Sequence, residues 1–204
     1  MKENVFTRWW AGFADRHPAA AKWIREGGLF FLFSNLVTVW QYIVLQFLPY
    51  AFGVEMAGKP FSFPGIQLDW FGGFTWNVLG YDVVLNEAGQ AVVGGGLGYT
   101  LAFLIATGTA QIINFPLQRN ITFRSKGSIP PQILGYVVGW VLMTLVVNSI
   151  NCVWVAFARY FGVPDFLFNI ATIVLTGGVS MVIFFFVNKV IFADGGEKKQ
   201  RDAA

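Results

Sequence analysis

Cysteine, histidine and charge are all scarce in this chain of 204 residues, and each scarcity removes a class of chemistry. The single cysteine, Cys152, excludes a disulfide framework or a cysteine-based zinc site within one chain, and it reads as a small packing residue. The single histidine, His17, leaves histidine-based metal ligation and acyl-transfer triads short of parts. There is no G-x-x-x-x-G-K-S/T loop for nucleotide hydrolysis and no D-x-D pair to hold the metal of a nucleotide-sugar transferase. Charged residues are only 12% of the chain against 55% hydrophobic residues, which leaves no room for a separate soluble catalytic unit. We therefore expect a non-enzyme with no metal and no cofactor. The net charge of +3 does not point to nucleic acid, because membrane topology accounts for the basic residues.

What is present is four long apolar stretches, at about 28–52, 91–117, 133–158 and 166–192. Each is long enough to cross a hydrocarbon core of about 30 Å as a helix. Lys2, Arg8, Arg16, Lys22 and Arg25 in the leader, Arg119, Arg124 and Lys126 in the middle loop, and Lys189, Lys198, Lys199 and Arg201 at the end hold 12 of the 14 cations. The other two loops hold only Lys59 and Arg159. The positive-inside rule then places both termini in the cytoplasm of a multi-pass plasma-membrane protein. No Asp or Glu falls within a stretch, and every carboxylate reads as lying in a loop or at a helix end. That argues against the proton-coupled export of the small four-helix multidrug antiporters, which use a membrane-embedded Glu. The first stretch follows a polar leader and exceeds a signal-peptide core, so we expect it to be retained.

The expected fold is an all-α membrane protein of four transmembrane helices. Residues 1–26 form a cytoplasmic leader, 27–192 the membrane domain, and 193–204 a charged cytoplasmic tail. In the leader, Phe6, Trp9, Trp10 and Phe13 recur at helical spacing as in an interfacial helix, which Pro18 should break. The outward loop 53–90 is rich in aromatics. It should lie on the membrane surface or pack over the helix ends, and its rings beside Asp69 and Asn77 also suit a sugar. Small residues mark helix contacts: Gly94-Gly95-Gly96 and Gly98 in the second stretch, Gly135 and Gly139 in the third, Gly177-Gly178 in the fourth. The second stretch ends Phe115-Pro116-Leu117-Gln118-Arg119 and the fourth ends Phe185-Phe186-Val187-Asn188-Lys189, with Phe123 or Phe192 beyond. This echo predicts two helical hairpins in parallel repeat, with the two boundaries side by side.

Residues Gly98 to Phe103, Ile112 to Arg124 and the copy Phe185 to Phe192 resemble the signature of the GtrA-like family, an apolar helix ending N-F-x-x-N-R-x-x-x-F-R. Gln118 stands where that pattern has Asn, Pro116 should kink the helix, and the second copy is one residue shorter. The resemblance covers about 28–192. It implies a polyprenyl-phosphate-linked monosaccharide as ligand, handled during cell-envelope polysaccharide glycosylation, by translocation or by anchoring.

Such a lipid needs cations at headgroup depth and amides within. Arg119, Lys189 and Arg124 are the candidate phosphate-binding residues, although the same cations also suit topogenic charges meeting anionic lipids. Arg159 stands at the far end of the third stretch, placed to receive the phosphate there or to snorkel. The amides and hydroxyls within the stretches include Asn35, Thr38, Gln41, Gln46, Gln111, Asn114, Asn148, Asn151, Asn169 and Thr176. Some serve as interhelical glue; Asn35, Asn114, Gln118, Asn148 and Asn188 are the candidate sugar path. Two functions follow: translocation (flipping) of the lipid-linked sugar, aided by homo-oligomer formation, or a scaffold whose basic leader recruits a glycosyltransferase and presents the lipid to it.

Overall fold

The computed structural model describes residues 5–193, so Lys198, Lys199 and Arg201 of the tail lie outside the described residues. A leader helix α1 (Val5–Arg16) turns at His17 into α2 (Pro18–Ala57), 40 residues that kink at Gly53. Pro18 does end α1, but it also starts α2, where its missing N–H is not needed and its fixed φ suits the first turn. The helix then runs unbroken through Gly27-Gly28. Residues 18–26, assigned to the leader by sequence, are thus part of the first helix. Gly53, at φ 71° and ψ 177°, is the one residue in α2 with non-helical backbone.

The segment 53–90 is not a loose aromatic loop. Strands β1 (Phe61–Leu68) and β2 (Phe74–Tyr81) form an antiparallel hairpin across a 3₁₀ turn at Trp70–Gly72, with register shifts around Pro64. It packs over the helix ends: Trp76 Nε1 donates to Ser149 Oγ (2.9 Å) and the Cys152 thiol to the Thr75 carbonyl (3.3 Å). Phe71 packs against Phe157, Tyr160 and Phe161. Two aromatic-rich runs of eight residues separated by glycines are what a half-covered hairpin requires, and these dockings hold it on the bundle.

Helix α3 (Gly96–Pro116) continues as a π-helical turn over Leu117–Thr122, so the chain beyond Pro116 widens where a kink was expected. Then come α4 (Ile129–Tyr160) and a last span made of α5 (Asp165–Thr172), a second π-helical turn at Ile173–Gly178, and α6 (Val179–Ile191). Four helices are long and apolar enough to cross a membrane: Pro18–Ala57, Gly96–Thr122, Ile129–Tyr160 and Phe166–Ile191. Leu36, Phe47, Leu142, Val182 and Phe186 are among the many large apolar side chains they expose, as lipid-facing helices do. The chain is a multi-pass, mainly helical membrane protein.

Small residues set the interhelical distances. On α3, Gly98, Ala102, Ala106 and Ala110 form a buried stripe, and a Cβ on Gly98 would meet Met56 and Ala57 of α2. Gly135 and Gly139 on α4 receive Ile191 and Val187 of α6. At the end of the bundle carrying the leader, called here the basic end, the core is aromatic. Phe30, Tyr136, Phe184 and Phe192 are buried, with Phe115, Phe123 and Phe185 against them. The two echoed boundaries meet in this core. Phe123 N–H donates to the Gln118 carbonyl (2.9 Å) and Phe192 N–H to the Asn188 carbonyl (2.8 Å), and the two rings lie 5.6 Å apart.

Candidate functional site

Halfway along the bundle the aromatic core gives way to a cavity of about 720 Å³. Its walls come from the middle of each span: Ser34 to Gln41 on α2, Phe103 to Asn114 on α3, Trp140 to Asn151 on α4, and Thr172 to Phe184 on the last span. Phe30 and Phe184 close it toward the basic end, and Tyr81 of β2 reaches it from the hairpin. Burial beside Tyr99 pushes the Tyr81 phenol well above the ordinary tyrosine range, so it stays a neutral hydroxyl.

The lining sets neutral polar groups among apolar side chains such as Phe103, Trp140, Met143 and Val147. Asn35, Gln41, Gln111, Asn114, Asn148 and Asn151 supply carboxamides, and hydroxyls alternate with them. Among the described residues no charged side chain lines the cavity. Several of the polar groups already have partners. Asn114 Nδ2 donates to the Tyr136 hydroxyl (2.9 Å), which donates to Gln111 Oε1 (2.7 Å). The hydroxyls of Thr172 and Thr176 donate to carbonyls one turn back, at 2.8 and 2.6 Å, and Ser180 does likewise. Asn151 Oδ1, by contrast, is buried with no hydrogen-bond partner. An unsatisfied amide oxygen on a cavity wall costs about 1–3 kcal/mol unless a ligand or water donates to it.

The predicted path residues divide into two groups. Asn35, Asn114 and Asn148 line the cavity together with Thr38, Gln41, Gln111, Asn151 and Thr176. Gln46 is exposed away from it, and the Asn169 side chain lies outside the described residues. Gln118 and Asn188 are wholly buried in the aromatic core instead of on a path. Gln118 Nε2 donates to Asn114 Oδ1 (3.0 Å) and Asn188 Nδ2 to the Phe184 carbonyl (2.8 Å). The Gln118 and Asn188 amide oxygens and the nearby Thr122 hydroxyl on the same turn as Gln118 are buried without partners.

The three predicted phosphate cations share the basic end but not one environment. Arg119 is half-buried and spreads its donors over neutral acceptors: Gln132 Oε1 (2.8 Å), Asn120 Oδ1 (2.7 Å) and the Gly127 carbonyl (2.9 Å). Among the described residues no carboxylate pairs with it, so its charge is unmatched. Arg124 is exposed at φ 50°. Lys189 departs from the expectation of a free cation. Its ammonium lies 2.9 Å from Glu26 Oε2 and 3.4 Å from the centre of the Trp23 ring, so its charge is taken up within the protein.

Glu26 is the residue the sequence reading missed. It was counted with the loops and helix ends, yet it sits inside α2, 2% exposed, with Lys22 Nζ at 4.0 Å as a second cation. The available signals were Lys22 four residues before it and the unmatched Lys189. Tyr136, the hydroxyl that joins two amides, also went unnoticed, being one aromatic among many. Arg159 is exposed in the last turn of α4, at the hairpin end.

No protein-family profile, no curated protein and no solved structure matches this chain.

Proposed function

We propose that this protein translocates a polyprenyl-phosphate-linked monosaccharide across the cytoplasmic membrane, as its resemblance to the GtrA-like family implies. The observation that carries the reading is the cavity: it lies halfway along the four spans, carboxamides and hydroxyls stand among its apolar walls, and no charged side chain of the described residues lines it. A sugar head offers many neutral donors and acceptors, which carboxamides match in both directions. Proton or cation antiport would call for an ionisable group in the cavity instead. The volume of about 720 Å³ lies within the range of about 300–1,000 Å³ usual for small-molecule sites.

In this reading both termini are cytoplasmic, the hairpin faces outward, and the spans form two parallel-repeat hairpins whose ends pack at Phe123 and Phe192. Arg119 is the phosphate cation, since Lys189 is paired with Glu26 and Arg124 is exposed, whereas Arg119 is held half-buried by neutral acceptors. The Phe30–Tyr136–Phe184–Phe192 core would close the cytoplasmic side and act as the gate there. The sugar head exchanges hydrogen bonds with Asn35, Asn148 and Asn151 during passage while the chain stays in lipid. Transport is facilitated, and consumption of the sugar on the far side sets its direction.

The test is reconstitution in liposomes with a polyprenyl-phosphate monosaccharide, scored by its accessibility in the outer leaflet. Asn151→Leu and Asn148→Leu should insert and fold normally but lose transport. Transport at the wild-type rate in both variants would overturn the reading.

A further inference from the structure

We infer that the cavity opens sideways into the bilayer, between the middle of α2 and the glycine pair of the last span, and that a lipid's polar head enters there while its chain stays outside. The inference rests on the proposed handling of a lipid-linked head, and adds where that head gets in.

Helix α2 and the last span touch at the basic end. Trp23 packs on Phe185 and Phe186, Phe30 on Phe184 and Phe185, and Lys189 binds Glu26. Above that contact the two elements face each other across the cavity. Phe31, Asn35 and Thr38 form one lip, and Gly177, Gly178 and Met181 the other. Asn35 and Thr38 line the cavity and are also exposed, at the middle of a 40-residue span. A polar side chain on a lipid-facing surface at that depth is unfavourable. Asn35 and Thr38 turn their donors back onto their own helix, to the Phe31 and Ser34 carbonyls at 2.7 and 2.9 Å. Both features fit an opening through which polar groups pass.

The opposite lip is shaped for the same purpose. A Cβ built on Gly177 or Gly178 meets nothing within 4 Å, whereas one on Gly139 would run into Val187. The Gly177-Gly178 pair is therefore not a close-packing contact. It leaves space where the π-helical turn ends. Around the lips the surface is apolar, with Leu32, Leu36, Val174 and Val182 exposed to hold the chain of the entering lipid.

The chemistry of the walls selects a head that is uncharged where it rests in the cavity. Its single phosphate is served by carboxamide N–H donors on the way through, and by Arg119 at the basic end. A lipid with a strongly cationic head finds no counter-charge inside.

The test separates this route from the transport activity. A photoreactive benzoylphenylalanine replaces Asn35 in the full-length protein, which is placed in phosphatidylcholine vesicles with a trace of radiolabelled polyprenyl-phosphate glucose. The same probe at Leu142, exposed on α4, reports ordinary lipid contact. The labelled lipid should be captured at position 35 well above the Leu142 level. Adding Gly177→Trp, at a position where a Cβ meets nothing within 4 Å, should reduce capture to that level, and the same substitution with Asn35 intact should stop transport. Capture at position 35 no greater than at Leu142, or unchanged transport in Gly177→Trp, would overturn the lateral route. Capture that Gly177→Trp blocks, while the protein with Asn35 intact moves no sugar lipid, would uphold the route and defeat the translocator reading.

Discussion

Replacing Lys189 with methionine removes the cation from a buried pair, and the size of the effect can be worked from its surroundings. Glu26 is 2% exposed, so its carboxylate has little access to water once Lys189 is gone. Stripping one partner from a buried ion pair costs about 3–5 kcal/mol, mostly as the penalty on the charge left behind. Lys22 at 4.0 Å softens this, but it is 44% exposed, and such pairs contribute about 0–1 kcal/mol. Loss of the ammonium over Trp23 adds about 0.5–1 kcal/mol. A destabilisation of about 2.5–6 kcal/mol results, which for a chain of this size lowers Tm by roughly 5–24 °C. Glu26→Gln should cost less, about 1–2 kcal/mol, because Lys189 keeps its ring and can extend toward headgroups. The double variant Glu26→Gln, Lys189→Met leaves no stranded carboxylate and should be more stable than Lys189→Met alone. Thermal unfolding of the four proteins in one detergent measures the cycle. If Lys189→Met melts with the wild type, or the double variant loses the sum of both singles, the buried pair is not what joins α2 to α6.

Other substitutions probe independent parts of the argument. Gly139→Val forces a side chain against Val187 on α6 and should destabilise by about 1–3 kcal/mol, seen as a lower melting temperature, while the same change at Gly178 should be nearly neutral. Tyr136→Phe unpairs Asn114 from Gln111 and should cost about 1 kcal/mol in the same melt. Trp76→Phe removes the hydrogen bond to Ser149 and should speed proteolysis of the 61–81 hairpin without unfolding the helices. Arg119→Gln keeps one amide donor near the position of Nε but loses the charge and the bonds to Asn120 and Gly127; transport should fall and the melt should drop by about 1–3 kcal/mol, and unchanged transport would remove Arg119 from the phosphate's path.

Apolar length and the scarcity of charge determined the four spans from sequence alone, because lipid tolerates only long helices whose backbone groups are satisfied internally. The polar stripe at Asn35, Gln111, Asn114, Asn148 and Asn151 was legible for the same reason: amides stand out in an apolar helix. The echo at Gln118 and Asn188 also marked two boundaries that do pack together. What it did not reveal is that both amides are buried in an aromatic core instead of lining a path. Burial depends on which rings arrive from other helices, here Phe30 from α2 and Tyr136 from α4. The partner of Lys189 was hidden because Glu26 lies 163 residues away in sequence and only the crossing of α2 and α6 brings them to 2.9 Å. The hairpin at 61–81 was obscured because its aromatic runs suit a membrane surface equally well, and docking on α4 chose between the two. Periodicity and length are local properties of a chain, and they decided the spans; the cavity, the buried pair and the opening between α2 and Gly177-Gly178 exist only between elements, so tertiary packing decided them.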